Sequence, residues 1–484
     1  MSTLIIQFFK ISAVCLVSAF VLSIPSHAAK SITYYGVTWT FSEDRPTGAF
    51  VNGEPWVQGP VSLVSVTPNN NTDWAGNPTS TPQKDSGSML VTVPNIRQGY
   101  ATSQESVFGY ANTKVYERER DLSLNENLPA TIVNGSVLLS SVGQQRNPAN
   151  NIHSTTNEIC ILTVLETAPP AGSFRPGIFS NVPRTVVHNE SQINYSILKN
   201  LSPVAGTPSS TQIEKYLPAL PWFEFDDSWV QSGYGPANNF GTYQASDGEY
   251  NPSGIKYPSD ASVYGREISY KWGIVALWLN TANTNAVKRK AYIQTIQCGI
   301  DIMSYVEHGG IFLSGGGHKG GRKIPALIAA LALNDAALLA RVADPTKFYE
   351  DRCTFIVDQD KVGWFGNMDN GQPTPIEARY IQEDVGLADW GIKHADGPAH
   401  DDRRWGDGGV PYRYVTWPAM VGPVLAAELM GQTATWNHPA VFAYNKRFMT
   451  QIGIGDSFVK EMWLLNAKST GKEPSVPKGI RIAR

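Results

Sequence analysis

The sequence predicts a multidomain β + α protein, with a β-sandwich over residues 31–200 followed by a helical domain over 216–470 that contains one helix buried on most sides. Three observations carry that reading. From Ser31 to about Asn200, short β-branched and aromatic runs recur between turn residues with no helix-length stretch among them, as stacked antiparallel sheets require. Past residue 215 the apolar residues recur at helical spacing over six stretches. Between the halves, the run Leu-Ser-Pro-Val-Ala-Gly-Thr-Pro-Ser-Ser starting at Leu201 has linker composition, which gives a linker over 201–215 and leaves a tail over 471–484.

Taken in chain order, the elements begin with a leader. Lys10 precedes an apolar run over 11–24, Pro25 breaks it, and Ser26-His27-Ala28 sets small residues three and one before a cut: a signal peptide over 1–28. The run is shorter than a bilayer span, so the mature chain is expected to be secreted or periplasmic, with no membrane partner once the leader is removed. The formal charge is −3, and 39 basic against 42 acidic residues argue against nucleic acid as a partner. The 43 Gly and 32 Pro follow no period, which excludes collagen and predicts many turns. Aromatic residues are plentiful; their flat faces suit sugars, though they fill cores more often.

Strands are expected at 32–41, 61–66, 89–93, 131–139 and 159–165, with a hairpin turn at Asn52-Gly53 between 49–51 and 56–57. Helices are expected at 268–280, 286–307, 325–343, 417–430, 439–452 and 457–465, with Gly309-Gly310 and Gly431 as stops. The stretch 327–333 is apolar almost all round and demands burial on most sides, as in an inner ring of helices. Cys160, Cys298 and Cys353 are expected as buried free thiols in preference to a Cys298–Cys353 bridge.

Chemistry concentrates in three regions. The densest runs from Ser314 to Lys323, where five glycines let the backbone approach a ligand, His318 offers a proton carrier, and Lys319 and Arg322 offer cations for an anionic group. The spacing of a phosphate-binding loop is missing there. The second runs from Tyr380 to Tyr414 and holds His394, His400, Asp401, Asp402, Trp405, Tyr412 and Arg413; it suits a polar cleft about as well as a solvated charged loop. Tyr412 and Arg413 stand just before an apolar helix that would hold them rigidly. The third, with Trp222, Asp226, Asp227, Tyr264, Arg266 and Glu267, flanks the first long helix, and helix capping explains its carboxylates as well as catalysis does. Asn437 or His438 reads as a cap for the helix at 439. Asp358, Asp360 and Asp369 have only a faint calcium-loop rhythm, so no metal site and no cofactor is expected, with structural calcium left open.

Gly316-Gly317-His318 with Gly321-Arg322-Lys323, and Trp436-Asn437-His438-Pro439-Ala440 with Tyr444 and Arg447, give the helical half a profile that resembles the secreted α/α-toroid polysaccharide lyases, the alginate-lyase and heparinase-like group. That resemblance implies an incomplete α/α toroid over 216–470, an anionic polysaccharide as partner, and β-elimination of a uronic-acid-containing polymer. Elimination needs a cation or amide donor at the carboxylate, a base for the C5 proton, and an acid at the departing glycosidic oxygen. On this basis Arg322 or Lys319 neutralises, His318 abstracts and Tyr412 protonates, with Arg413 and His394 as substitutes and Trp405, Tyr264, Arg266 and Trp222 binding substrate. Two other readings fit the residues: a glycoside hydrolase using a pair among Asp226, Asp227, Glu249, Asp401 and Asp402, and a non-catalytic glycan-binding or surface protein.

Overall fold

The computed structural model describes residues 27–68, 87–91, 124–144, 155–179, 184–217, 265–312, 320–363, 380–391, 412–453 and 455–469. They form a mixed β and α protein, with the sheet first and the long helices after it. The sheet comprises β1 (His27–Tyr34), β2 (Val37–Ala49), β3 (Pro55–Gln58), β4 (Val61–Thr67), β5 (Gly87–Leu90), β6 (Ala130–Ile132), β7 (Val137–Gln144) and β8 (Thr155–Leu165). Its order is β5-β7-β8-β3-β2-β4-β6, with β1 paired to β2, and its pairs are antiparallel except β3 with β8. The sheet curls, because Trp39 on β2 donates from Nε1 to Ser140 Oγ on β7 at 3.0 Å although β3 and β8 stand between them in the ladder. Alternation along the strands then sorts the side chains. Trp39, Phe41, Leu138, Cys160 and Leu162 fill the inside of the curl, while Val137, Leu139 and Ile161 belong to the core of the helices.

Turn chemistry decides two boundaries. Gly53, at φ +91°, closes the expected hairpin, whose strands pair Ala49 with Pro55. The single strand expected over 131–139 is two, because Asn134-Gly135 turns the chain, with Gly135 at φ +84°, and sends β6 to β4 while β7 pairs with β8.

The segment expected as a linker is docked. Leu201 exchanges backbone bonds with Asn280 and Ala282, Pro208 O accepts from Trp278 Nε1 at 3.0 Å, and Ser209 caps α1 (Ser210–Tyr216), whose Ile213 is buried in the helical core. Composition marked it as a linker, but its backbone groups and apolar side chains find partners on the helices. Phe174 and Ile178 join the same core, so sheet and helices share one interior.

The helices are α2 (Gly265–Leu279), α3 (Asn285–Glu307), α4 (Lys323–Ala332), α5 (Ala336–Val342), α6 (Tyr349–Cys353), α7 (Tyr412–Leu429), α8 (Thr433–Trp436), α9 (Pro439–Gln451) and α10 (Ser457–Ser469). Between α6 and α7 lie two short antiparallel strands, β9 (Thr354–Ile356) and β10 (Ala388–Trp390). Helix α4 is the apolar one, with Ile324, Ala326, Leu327, Ile328, Ala329 and Ala330 fully buried. Helices α2 and α7 cross so closely that a Cβ on Gly422 would sit 2.9 Å from Gly273 Cα. The helix expected over 325–343 breaks after Ala332, where Asn334 adopts φ +50° and Asp335 caps α5 by accepting from Ala337 N and Leu338 N. An Asn-Asp pair tolerates that backbone and supplies the cap, which the surrounding Ala and Leu residues hide in a periodicity reading.

Helix α7 starts at Tyr412, five residues before the expected 417, so Tyr412 and Arg413 lie in its first turn and not ahead of it. Cys160, Cys298 and Cys353 are free and buried. No helix among the described residues is long and apolar enough to cross a membrane.

Candidate functional site

Of the site residues named from the sequence, Trp222, Tyr264, His318, Lys319, His394 and Trp405 lie outside the described residues, as do Asp226, Asp227, Glu249, Asp401 and Asp402. Arg266 and Tyr412 occupy the first turns of α2 and α7. Arg322 and Arg413 are the candidates whose side chains are placed. Both were expected as cations facing substrate, and both have zero exposure.

Arg322 belongs to the turn that leads into α4. Gly321 sits at φ +81°, and a Cβ there would overlap Ser269 Cα on α2, while one on Gly320 would strike Met420 on α7. Only glycine allows the turn to wedge between those helices. Gly321 N donates to Glu350 Oε1 at 2.7 Å, and Arg322 Nη1 donates back to Gly320 O at 2.7 Å, so this guanidinium supports the turn itself.

Beneath the turn lies a buried ionic group. Lys323 Nζ bonds Asp351 Oδ2 and donates to Trp436 O at 2.7 Å, and its charge stands 4.9 Å from the Trp436 ring centroid and 5.5 Å from that of Phe348. Trp436 Nε1 donates to the other Asp351 oxygen at 2.7 Å. Burial pushes the Glu350 carboxyl up to about 7, and that of Asp351 up to about 6 against the pull of Lys323. Glu350 Oε2 has no hydrogen-bond partner among the described residues. A carboxyl that exchanges its proton near neutrality therefore holds the glycine turn in place.

The Trp-Asn-His-Pro phrase is structural, but not as a side-chain cap. His438 occupies the N-cap position of α9 without a side-chain cap bond; its Nε2 lies 3.0 Å from both Thr354 O and Thr354 Oγ1, and burial lowers its pKa. Asn437, at φ +60°, donates from Nδ2 to Ala343 O at 2.9 Å.

A second buried carboxylate organises the neighbouring strands. Asp389 Oδ1 accepts from Arg413 Nη1 at 2.9 Å and from Trp390 N at 2.8 Å; Oδ2 accepts from the Tyr380 hydroxyl at 3.2 Å and lies 3.4 Å from Arg447 Nη1. The two groups are linked, since Thr354 Oγ1 donates to Glu350 O at 2.8 Å, Thr354 pairs with Trp390, and Gly391 N donates to Cys353 O. Residues flanking 313–319 and 392–411, together with Ser269 on α2 and the first turn of α7, thus meet in one neighbourhood. The approach of Arg322 and Tyr412 to His318 falls outside the described residues.

Glu350, Asp351 and Asp389 were not singled out from the sequence. The available signal was an acid set among apolar neighbours, as in Leu387-Ala388-Asp389-Trp390, since a buried acid must find a partner. Among the described residues no three His, Cys, Asp or Glu side chains gather to hold a metal, and Asp358 pairs with Lys361 Nζ at 2.6 Å. No family model, no curated protein and no solved structure matches this chain, so the functional reading rests on its residues and their geometry.

Proposed function

We propose that this protein is a secreted or periplasmic carbohydrate-active enzyme, a polysaccharide lyase that cleaves a uronic-acid-containing polymer by β-elimination on a β-sandwich and incomplete α/α-toroid plan. One observation carries the reading: the chain that follows the glycine-rich segment, the chain flanking 392–411 and the start of α7 are tied together through Gly321–Glu350, Thr354–Trp390 and Asp389–Arg413. The residues that follow the segment bearing His318 and Lys319, and the helix that begins at Tyr412, therefore belong to one bonded network.

On this proposal Lys319 neutralises the uronate carboxylate and acidifies the C5 proton, His318 removes that proton, and Tyr412 protonates the glycosidic oxygen as its bond to C4 breaks. The electron pair released at C5 forms the C4–C5 double bond, and the leaving chain departs as an alcohol. His394 is the alternative base. Trp222, Tyr264, Arg266 and Trp405 bind the flanking sugars. Arg322 and Arg413, enclosed in the fold, take positioning roles in place of contact with the carboxylate.

The test is incubation of the mature chain with anionic and neutral polysaccharides, read by near-ultraviolet absorbance of the unsaturated product and by reducing ends. A lyase gives both signals, and His318→Ala and Tyr412→Phe each lower the rate by roughly 100-fold or more. Reducing ends without the absorbance identify a hydrolase, retention on a glycan without chain shortening identifies a binding protein, and variants within a fewfold of wild type refute the residue roles.

A further inference from the structure

We infer that Asp389 is the positioning residue of this site: a single buried carboxylate that fixes the chain on both sides of 392–411 and the end of 364–379. The inference rests on the lyase reading for its consequence on rate, but its geometry stands apart from it. Tyr380, immediately after 364–379, donates its hydroxyl to Asp389 Oδ2, and Gly363, immediately before that segment, donates its backbone N–H to Tyr380 O at 2.7 Å. Trp390, whose N–H reaches Asp389 Oδ1, is followed by Gly391, where 392–411 begins. Arg413, one residue into the helix that follows 392–411, returns to the same Oδ1 at 2.9 Å. From α9, Arg447 approaches Oδ2 and donates to Ala388 O at 2.8 Å, which fastens β10 to the helical body. The Tyr380 ring meets Phe355 edge-on, opposite Asp389 in the β9–β10 pair.

A carboxylate with this many charged and neutral donors, and with zero exposure, is more than one ion pair. Arg413 follows Tyr412 directly, so the Asp389–Arg413 bond sets the first turn of α7 and with it the backbone of the proposed acid. Displacement of a reacting group by about 1 Å costs on the order of 100-fold in rate. Asp389 never meets substrate; it acts through Tyr412.

The experiment uses the full chain with Asp389→Asn and, in case that variant fails to fold, Tyr380→Phe, which deletes one hydroxyl bond and keeps the ring. Amide hydrogen exchange is expected to accelerate by roughly tenfold across 380–391 and 412–417 while the long helix 285–307 keeps its wild-type rates. Turnover is expected to fall roughly 10- to 100-fold in kcat with KM within about threefold, and Asp389→Asn combined with Tyr412→Phe is expected to lose no more than Tyr412→Phe alone. Acceleration spread evenly over all helices, or rate losses that multiply in the double variant, would overturn the inference. If wild type forms no unsaturated product, the lyase reading falls and the exchange pattern alone decides on Asp389: local loosening supports it, uniform or unchanged exchange refutes it.

Discussion

Two buried ionic groups in this protein each set a cation against an Asp and a Glu, and they differ in how completely their hydrogen bonds are made. At the junction of sheet and helices, Arg175 bonds Glu54 through Nε, reaches Asp301 with both terminal nitrogens and gives one more bond to Pro176 O at 3.0 Å. Asp301 also accepts from Ile178 N at 2.9 Å, and Gln297 bonds both backbone groups of Arg175. Although burial works against the charge, Asp301 and Glu54 hold the Arg175 pKa above its ordinary value. At the glycine turn the hydrogen bonding of the acids is less complete. Lys323 answers Asp351, while Glu350 keeps one oxygen without a hydrogen-bond partner among the described residues. The first group fastens the β2–β3 turn to α3; the second supports a backbone whose neighbours carry the proposed chemistry. A buried charge is held where its hydrogen bonds are complete, and burial favours the neutral form where they are not.

The contrast breaks most visibly at Arg175. Arg175→Met keeps much of the volume but leaves Glu54 and Asp301 buried together without their cation, so unfolding free energy is expected to drop by about 3–5 kcal/mol. Denaturant unfolding at neutral pH measures it. A loss under about 1 kcal/mol means that the junction tolerates the unpaired acids, and the distinction between the two groups disappears.

At the glycine turn the sign is opposite. The Glu350 carboxyl moves from its ordinary 4.5 up to about 7 in the folded chain, so the fold favours the protonated form. The stability this group contributes is complete below about 4.5 and is lost as pH rises through 7. Glu350→Gln keeps an oxygen for Gly321 N and never ionises. The variant is expected to match wild type near pH 4.5 and to exceed it by up to about 3 kcal/mol at pH 8. Thermal unfolding of both proteins across that range tests it, and a variant less stable than wild type at pH 8 would reveal an ionised Glu350 held by a cation.

How far the sequence anticipates this picture follows the same divide. Long helices are legible because apolar spacing survives any partner, as α3 and α9 illustrate within a residue or two. The start of α7 is not, because the buried residues described there, Arg413 and Thr416, are polar and give no apolar signal ahead of Trp417. The docking of 201–217 is hidden for a similar reason, since a Pro-, Gly- and Ser-rich string says nothing about the surface that receives it. At the candidate site the glycine turn announces itself by composition, but the inward direction of Arg322 depends on α2 and α7, which the local sequence does not contain. Glu350, between Tyr349 and Asp351-Arg352, reads like a surface acid, and only the fold encloses it.

The smallest expected effect tests whether complete hydrogen bonding alone explains the junction, or whether burial is needed too. Arg289 on α3 meets Glu190 through two bonds, the longer at 2.6 Å, and thus matches the two-bond pairing of Arg175 with Asp301. Its side chains, however, are 50% and 29% exposed. Water competes for both groups, ordering the long arginine costs entropy, and salt screens what is left, so Arg289→Ala is expected to cost about 0.5 kcal/mol, falling toward zero at high ionic strength. Urea unfolding at low and at about 1 M salt provides the measurement. A salt-insensitive loss of several kcal/mol would place this exposed pair with Arg175 and remove burial from the explanation; a small, screened loss leaves desolvation as the reason that one arginine secures the junction and the other merely decorates it.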